Sequence, residues 1–194
     1  MKREELEHAI LTASRIVNQN EVLVIGSQSI LGSYREEELP PKATMSAEVD
    51  IAPLKDIHDH LADRIMADAG QGSEFEVETG YYIDGVSLAT AVLPDGWRDR
   101  LVRVEIAEAP GVAGLCLDPH DLCASKLARN EDKDREFVTA LINAGLIDPR
   151  LLRNRIDAIP DDRLEPARKR VLRRFAMSAQ DRRRSDRRTS EPPS

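Results

Sequence analysis

Four consecutive aliphatic residues, Val22-Leu23-Val24-Ile25, run straight into Gly26-Ser27. A short apolar run without polar alternation reads as a strand buried on both faces. Before it, Leu6, Ile10, Ala13 and Val17 share one face of a helix expected from about Lys2 to Val17. After it, an amphipathic stretch reaches about Gly32, and residues 34–45, with three successive Glu and then Pro40-Pro41, read as an exposed loop. A second short strand spans Ala47 to Ala52, and Pro53 ends it. A helix with Leu54, Ile57, Leu61, Ile65 and Met66 on one face then runs to Gly70.

A β region is expected next, over Phe75–Val77, Tyr81–Ile83, Val86–Leu93 and Leu101–Ile106. Asp84-Gly85 has the composition of a type I′ hairpin turn between two of these runs. A last run, Gly114–Leu117, leads into helices. Asp118-Pro119 and Asp148-Pro149 each read as N-cap then first helical residue, and Gly145 closes the helix that begins near Glu131. A final helix is expected from about Asp162 to Met177, with a disordered basic tail behind it. This order predicts an α+β fold, a mixed sheet with flanking helices and a helical C-terminal half. The expected parts are an α+β core over 1–117, a helical part over 118–177 and the tail over 178–194.

With 194 residues, of which 41% are apolar and 4% aromatic, the chain has enough aliphatic surface for one domain, or one domain with an appendage. It contains no apolar run of the roughly 18 residues that span a bilayer, and MKREELEH is followed by no signal-like apolar region. A cytoplasmic protein is expected. Two cysteines, Cys116 and Cys123, provide neither a disulfide framework nor a CxxC metal pair. The net charge of -7 is unevenly distributed: residues 163–194 hold eleven Lys/Arg against four acids, so that segment is basic and the rest strongly acidic. The basic end is either a solvated helix and tail or a place to meet a polyanion.

Chemistry concentrates at two points. Gly26-Ser27 follows a buried strand where backbone N–H groups favour phosphate; glycine lets a triphosphate approach closely and Ser27 can donate to it. Glu48 and Asp50 lie two apart on a strand, so both carboxylates point to one face. Carboxylates converging near a phosphate cradle suit a magnesium-nucleotide site. Each half alone is common, and an acid–x–acid strand is also what a solvent-facing edge carries.

Val24-Ile25-Gly26-Ser27 followed by Glu48-Val49-Asp50-Ile51 resembles the signature of the DNA polymerase β-like nucleotidyltransferase superfamily. Leu117-Asp118-Pro119-His120-Asp121-Leu122, then Lys126-Leu127-Ala128-Arg129 and Asp132-Lys133-Asp134-Arg135, is similar to a bacterial branch that contains the AbiEii/MenT type of toxin nucleotidyltransferases. The resemblance covers roughly residues 20–145. It implies that Gly26 and Ser27 hold nucleotide phosphate, and that Glu48 and Asp50 bind magnesium in a two-metal site. It also implies a third acid, for which Glu105 on its strand is the first choice and Asp84 the second, since Asp84 suits a hairpin turn. Lys126 becomes a cation aimed at the triphosphate, or, read from composition alone, a helix-surface lysine. Asp134 and its neighbours could bridge back to Lys126 or Arg129 and orient them, or equally form a solvated first turn with acids near a helix N-terminus. The first acid is Glu where the superfamily usually has Asp, which shifts a bound metal.

The implied activity is magnesium-dependent transfer of a nucleotidyl group from a nucleoside triphosphate to an acceptor. RNA such as tRNA is one acceptor, an antitoxin protein one partner, and no membrane is involved. The alternative is a catalytically silent domain that binds nucleotide, RNA or protein. Remaining candidates are plainer. His58 and His60 lack metal-ligand spacing and read as surface, Cys123 reads as core, and Trp97 anchors a turn. Tyr81 and Tyr82 alternate faces, so one can stack on a base while its neighbour packs inward.

Overall fold

The computed structural model describes residues 1–56 and 60–190, with side chains described through residue 178. Ile57 and His58 lie outside the described residues. Helix α1 (Arg3–Val17) leads into β1 (Glu21–Val24), a six-residue 3₁₀ segment, the short helix α2 (Pro41–Thr44) and β2 (Glu48–Pro53). Helices α3 (His60–Ala69) and α4 (Glu74–Thr79) precede β3 (Tyr82–Gly85), and β4 (Val102–Glu105) and β5 (Ala113–Cys116) follow. The remainder is helical: α5 (Pro119–Arg129), α6 (Asp132–Ala144), α7 (Pro149–Asp157) and α8 (Pro166–Ser190).

The five strands form one mixed sheet in the order β3-β2-β1-β5-β4. β1 pairs antiparallel with β2 and parallel with β5, β2 pairs parallel with β3, and β4 closes the far edge antiparallel to β5. Val22, Leu23 and Val24 are all buried, as a central strand requires. Alternation then sorts the sheet's two faces. Val49, Ile51 and Ile83 are fully buried on one face, and α3 presses so closely there that a Cβ on Gly85 would meet the Ala62 carbonyl oxygen at 2.0 Å. Likewise Gly114 gives α1 room, because its Cβ would strike Ile10 at 2.3 Å. Glu48, Asp50, Tyr82 and Asp84 occupy the opposite face in register, Glu48 beside Tyr82 and Asp50 beside Asp84.

The expected mixed α+β architecture is what the chain adopts, and the helical caps fall where expected. Asp118 accepts from the backbone of His120 and Asp121 with Pro119 at the first helical position, Asp148 accepts from Arg150, and Gly145 ends α6 in the left-handed conformation. Four local expectations are corrected. Phe75–Val77 belongs to helix α4, whose N-cap Ser73 accepts from Glu76 and whose C-cap Gly80 has φ 79°. Asp84-Gly85 is not a hairpin turn: both residues lie in β3, which runs parallel to β2. Val86–Leu93 forms no strand and holds only a short 3₁₀ turn over Leu88–Thr90. Helix α8 continues through Ser190, beyond the Met177 at which the final helix was expected to end. Among the described residues no helix is long and apolar enough to cross a membrane.

Candidate active site

A cleft of about 720 Å³ opens on the face that carries the acids. Ile25, Gly26 and Ser27 form one side, Glu48 and Asp50 its floor, and Ser125, Lys126, Arg129, Asp134 and Phe137 from α5 and α6 its far wall. The loop after β3, including Val86, Thr90 and Val92, supplies an apolar flank. Five residues singled out in the sequence, Gly26, Ser27, Glu48, Asp50 and Lys126, therefore line a single cleft.

Gly26 is required there by space. Its φ of -86° is open to any residue, but a Cβ would sit 1.5 Å from Asp50 Oδ2. The backbone of Ile25 also donates to the Asp50 carbonyl at 3.1 Å. The glycine and the second acid are thus one packed unit: the carboxylate occupies the place a side chain would take.

Three carboxylates share this corner. Asp50 is pushed up from 3.8 to about 6, first by burial and then by the charges of Glu48 and Asp84, while Lys126 and Arg129 pull it back. Asp84 is raised by burial and by Glu48. Tyr82 Oη donates to Glu48 Oε2 at 2.9 Å. Tyr81, its neighbour, turns to the other face, where it is buried and bonded to His8 Nδ1 at 2.7 Å.

Opposite the acids stands a cationic wall with its own anchor. Left-handed Asn130 ends α5 and turns the chain into α6, which returns Asp134 to the last turn of α5. Fully buried Asp134 accepts two bonds from Arg129, at 2.8 and 2.7 Å, and one from Lys126 at 3.2 Å. Burial alone would raise its pKa; the Arg129 bonds and Lys126 outweigh that and hold it below the ordinary carboxylate range. Lys126 also lies over the Phe137 ring, 4.8 Å from its centroid. It is only 8% exposed, so it is no ordinary helix-surface lysine. Arg129 lies three residues after Lys126 on the same face of α5, and that spacing is the sequence signal for its place in the wall.

Glu105 is not brought to this cleft. It lies on β4, at the opposite edge of the sheet from Asp84, with β1 and β5 between β4 and β2. Three strand spacings amount to roughly 14 Å. Its carboxylate is bonded instead to Arg103, which also binds Glu21. Asp84, the second choice, is the acid that stands beside Asp50. The choice failed because sheet order, which local sequence does not encode, decides which strand adjoins β2.

Residues 4–183 match the family described as nucleotidyltransferase of unknown function (DUF6036). The chain belongs to this family. Membership implies nucleotidyl transfer in general terms and a nucleotide substrate for the fold that carries this cleft. No curated protein and no solved structure matches the chain.

Proposed function

We propose that the protein is a magnesium-dependent nucleotidyltransferase whose centre is the cleft between the β2–β3 corner and the α5–α6 wall. The observation that carries this reading is the charge arrangement. Burial first, and then the charges of Glu48 and Asp84, drive Asp50 to about 6, and Lys126 and Arg129 line the cleft opposite Glu48 and Asp50. Among the described residues no three His, Cys, Asp or Glu side chains already stand together as a metal-binding group. The fit rests on donor chemistry: carboxylate oxygens, which hard divalent cations prefer, left with mutual repulsion that a cation relieves. Glu48 and Asp50, which line the cleft, would hold magnesium, with Asp84 beside them on β3 adding negative charge. The chemistry supplied by bound magnesium is neutralisation of charge on the phosphorus oxygens and departing pyrophosphate.

The chain's own residues do the rest. Lys126 and Arg129 present cations to the triphosphate, held in place by Asp134 rather than free to swing away. Ser27 offers a hydroxyl at the cleft edge, and Val86, Val92 and Phe137 give an apolar surface suited to a nucleobase. RNA is the acceptor we favour, on the composition of the C-terminal segment, where arginines dominate. Placement in the AbiEii/MenT branch, with a toxin role and an antitoxin partner, rests on the sequence resemblance alone; growth arrest on expression tests it.

The test is label transfer. Protein and each of the four labelled nucleoside triphosphates are incubated with magnesium and total cellular RNA, beside Asp50→Asn. Label on RNA with the wild type alone supports the reading. Label on the protein redirects it to protein modification. No transfer, with magnesium-dependent nucleotide binding intact, makes the domain a silent binding module.

A further inference from the structure

The two-residue spacing of acids on β2 has a counterpart on β3. In the parallel register Glu48 lies beside Tyr82 as Asp50 lies beside Asp84. The Tyr82 backbone N–H bonds to the Ala47 carbonyl at 3.0 Å, so phenol and carboxylate spring from adjoining points of paired strands. Tyr82 Oη then donates to Glu48 Oε2 at 2.9 Å. Between a phenol hydroxyl and a carboxylate oxygen the phenol is the donor.

From this pairing we infer that Tyr82 is a positioning residue: it fixes the Glu48 carboxylate through Oε2 and leaves Oε1 to face a divalent cation in the cleft. The inference rests on the magnesium-nucleotide reading above. Glutamate has one more rotatable bond than aspartate, and an untethered glutamate carboxylate samples several positions. A ligand held by an outer hydrogen bond has less freedom to lose when it binds a metal. Glu48 thereby serves where a shorter acid would be held by its own brevity. Tyr82 is the structural companion of that substitution.

The experiment measures manganese binding to the full chain by electron paramagnetic resonance of the free ion. It compares wild type, Tyr82→Phe, Glu48→Asp and the double variant, with Asp50→Asn as reference for the site itself. Phenylalanine keeps the ring and removes only the hydroxyl. The expected result is about a 10-fold weaker affinity in Tyr82→Phe, with no further loss when the same change is made in Glu48→Asp, whose shorter side chain no longer reaches the phenol. Unchanged or tighter binding in Tyr82→Phe overturns the inference. So does an equal loss in both backgrounds, because the hydroxyl would then act other than through Glu48. Wild type binding no better than Asp50→Asn overturns the metal reading beneath it, an outcome distinct from the other two.

Discussion

Both edge strands of the sheet carry acids on the same face, and they do different things. On β4, Glu105 is exposed and shares its charge with Arg103, which also holds Glu21. On β3, Asp84 meets Glu48 and Asp50, and burial, with like charge added to it, raises the Asp50 and Asp84 carboxyls. A compensated edge is a solvated surface whose ion pairs contribute little. A buried corner of like charges is held in that state by the rest of the fold, and perturbed groups of this kind cluster at functional sites. The anchored cations of α5 sharpen the contrast. Asp134 is fully buried between Lys126 and Arg129, so the wall facing the acids keeps its cations in place.

The largest effect expected is from Asp50→Asn. Nucleotidyl transfer should fall by at least about 100-fold, the scale seen when a preorganised electrostatic partner is lost. Asp84→Asn should cost about 10-fold, since Asp84 stands on the edge strand outside the lining of the cleft. Activity close to wild type in Asp84→Asn would detach β3 from the site and break the comparison of edges.

The pH dependence follows from Asp50. Below about 6 its carboxyl is protonated and must lose the proton to bind a cation. Magnesium-dependent nucleotide binding at fixed magnesium should therefore weaken about 10-fold between pH 7 and pH 5; a titration flat across that interval would contradict the assignment. The same raised pKa has a consequence for stability. The folded protein binds this proton more tightly than the unfolded chain, so the contribution is full below 3.8 and is lost as pH rises through about 6. At pH 7.5 without magnesium, Asp50→Asn should thus be the more stable protein, by on the order of 2 kcal/mol. Differential scanning calorimetry would show a higher Tm in a variant that has lost activity, the signature of a charge kept buried among like charges for function.

The smallest effect belongs to the other edge. Glu105→Gln should leave transfer within about 2-fold of wild type and stability within about 1 kcal/mol, because it removes an exposed pair. A large loss of activity there would return Glu105 to the site.

How much of this could be read from the sequence depended on whether the cause was local. The acid–x–acid strand was legible because the period of a strand forces residues two apart to one face. The caps of α5 and α7 were legible because Asp-Pro states its own geometry. Asp84-Gly85 misled because the same dipeptide that makes a good turn also sits in a strand when a helix presses on it, as the Ala62 carbonyl does on Gly85. Phe75–Val77 misled for the opposite reason. Its apolar residues suggested a strand, while Ser73 and Gly80 already marked the ends of a helix. Gly26 was read for the room it gives a ligand, whereas its neighbour Asp50 already fills that room. Sheet order, which separates Asp84 from Glu105, arises from pairing between distant segments and left no local mark.

The most direct measurement is equilibrium binding of labelled nucleoside triphosphate with and without magnesium, to wild type, Asp50→Asn and Glu105→Gln. The account predicts magnesium-dependent binding in wild type and Glu105→Gln, and its loss in Asp50→Asn. Binding that persists undiminished in Asp50→Asn would contradict the claim that the β2–β3 corner is where nucleotide and cation meet.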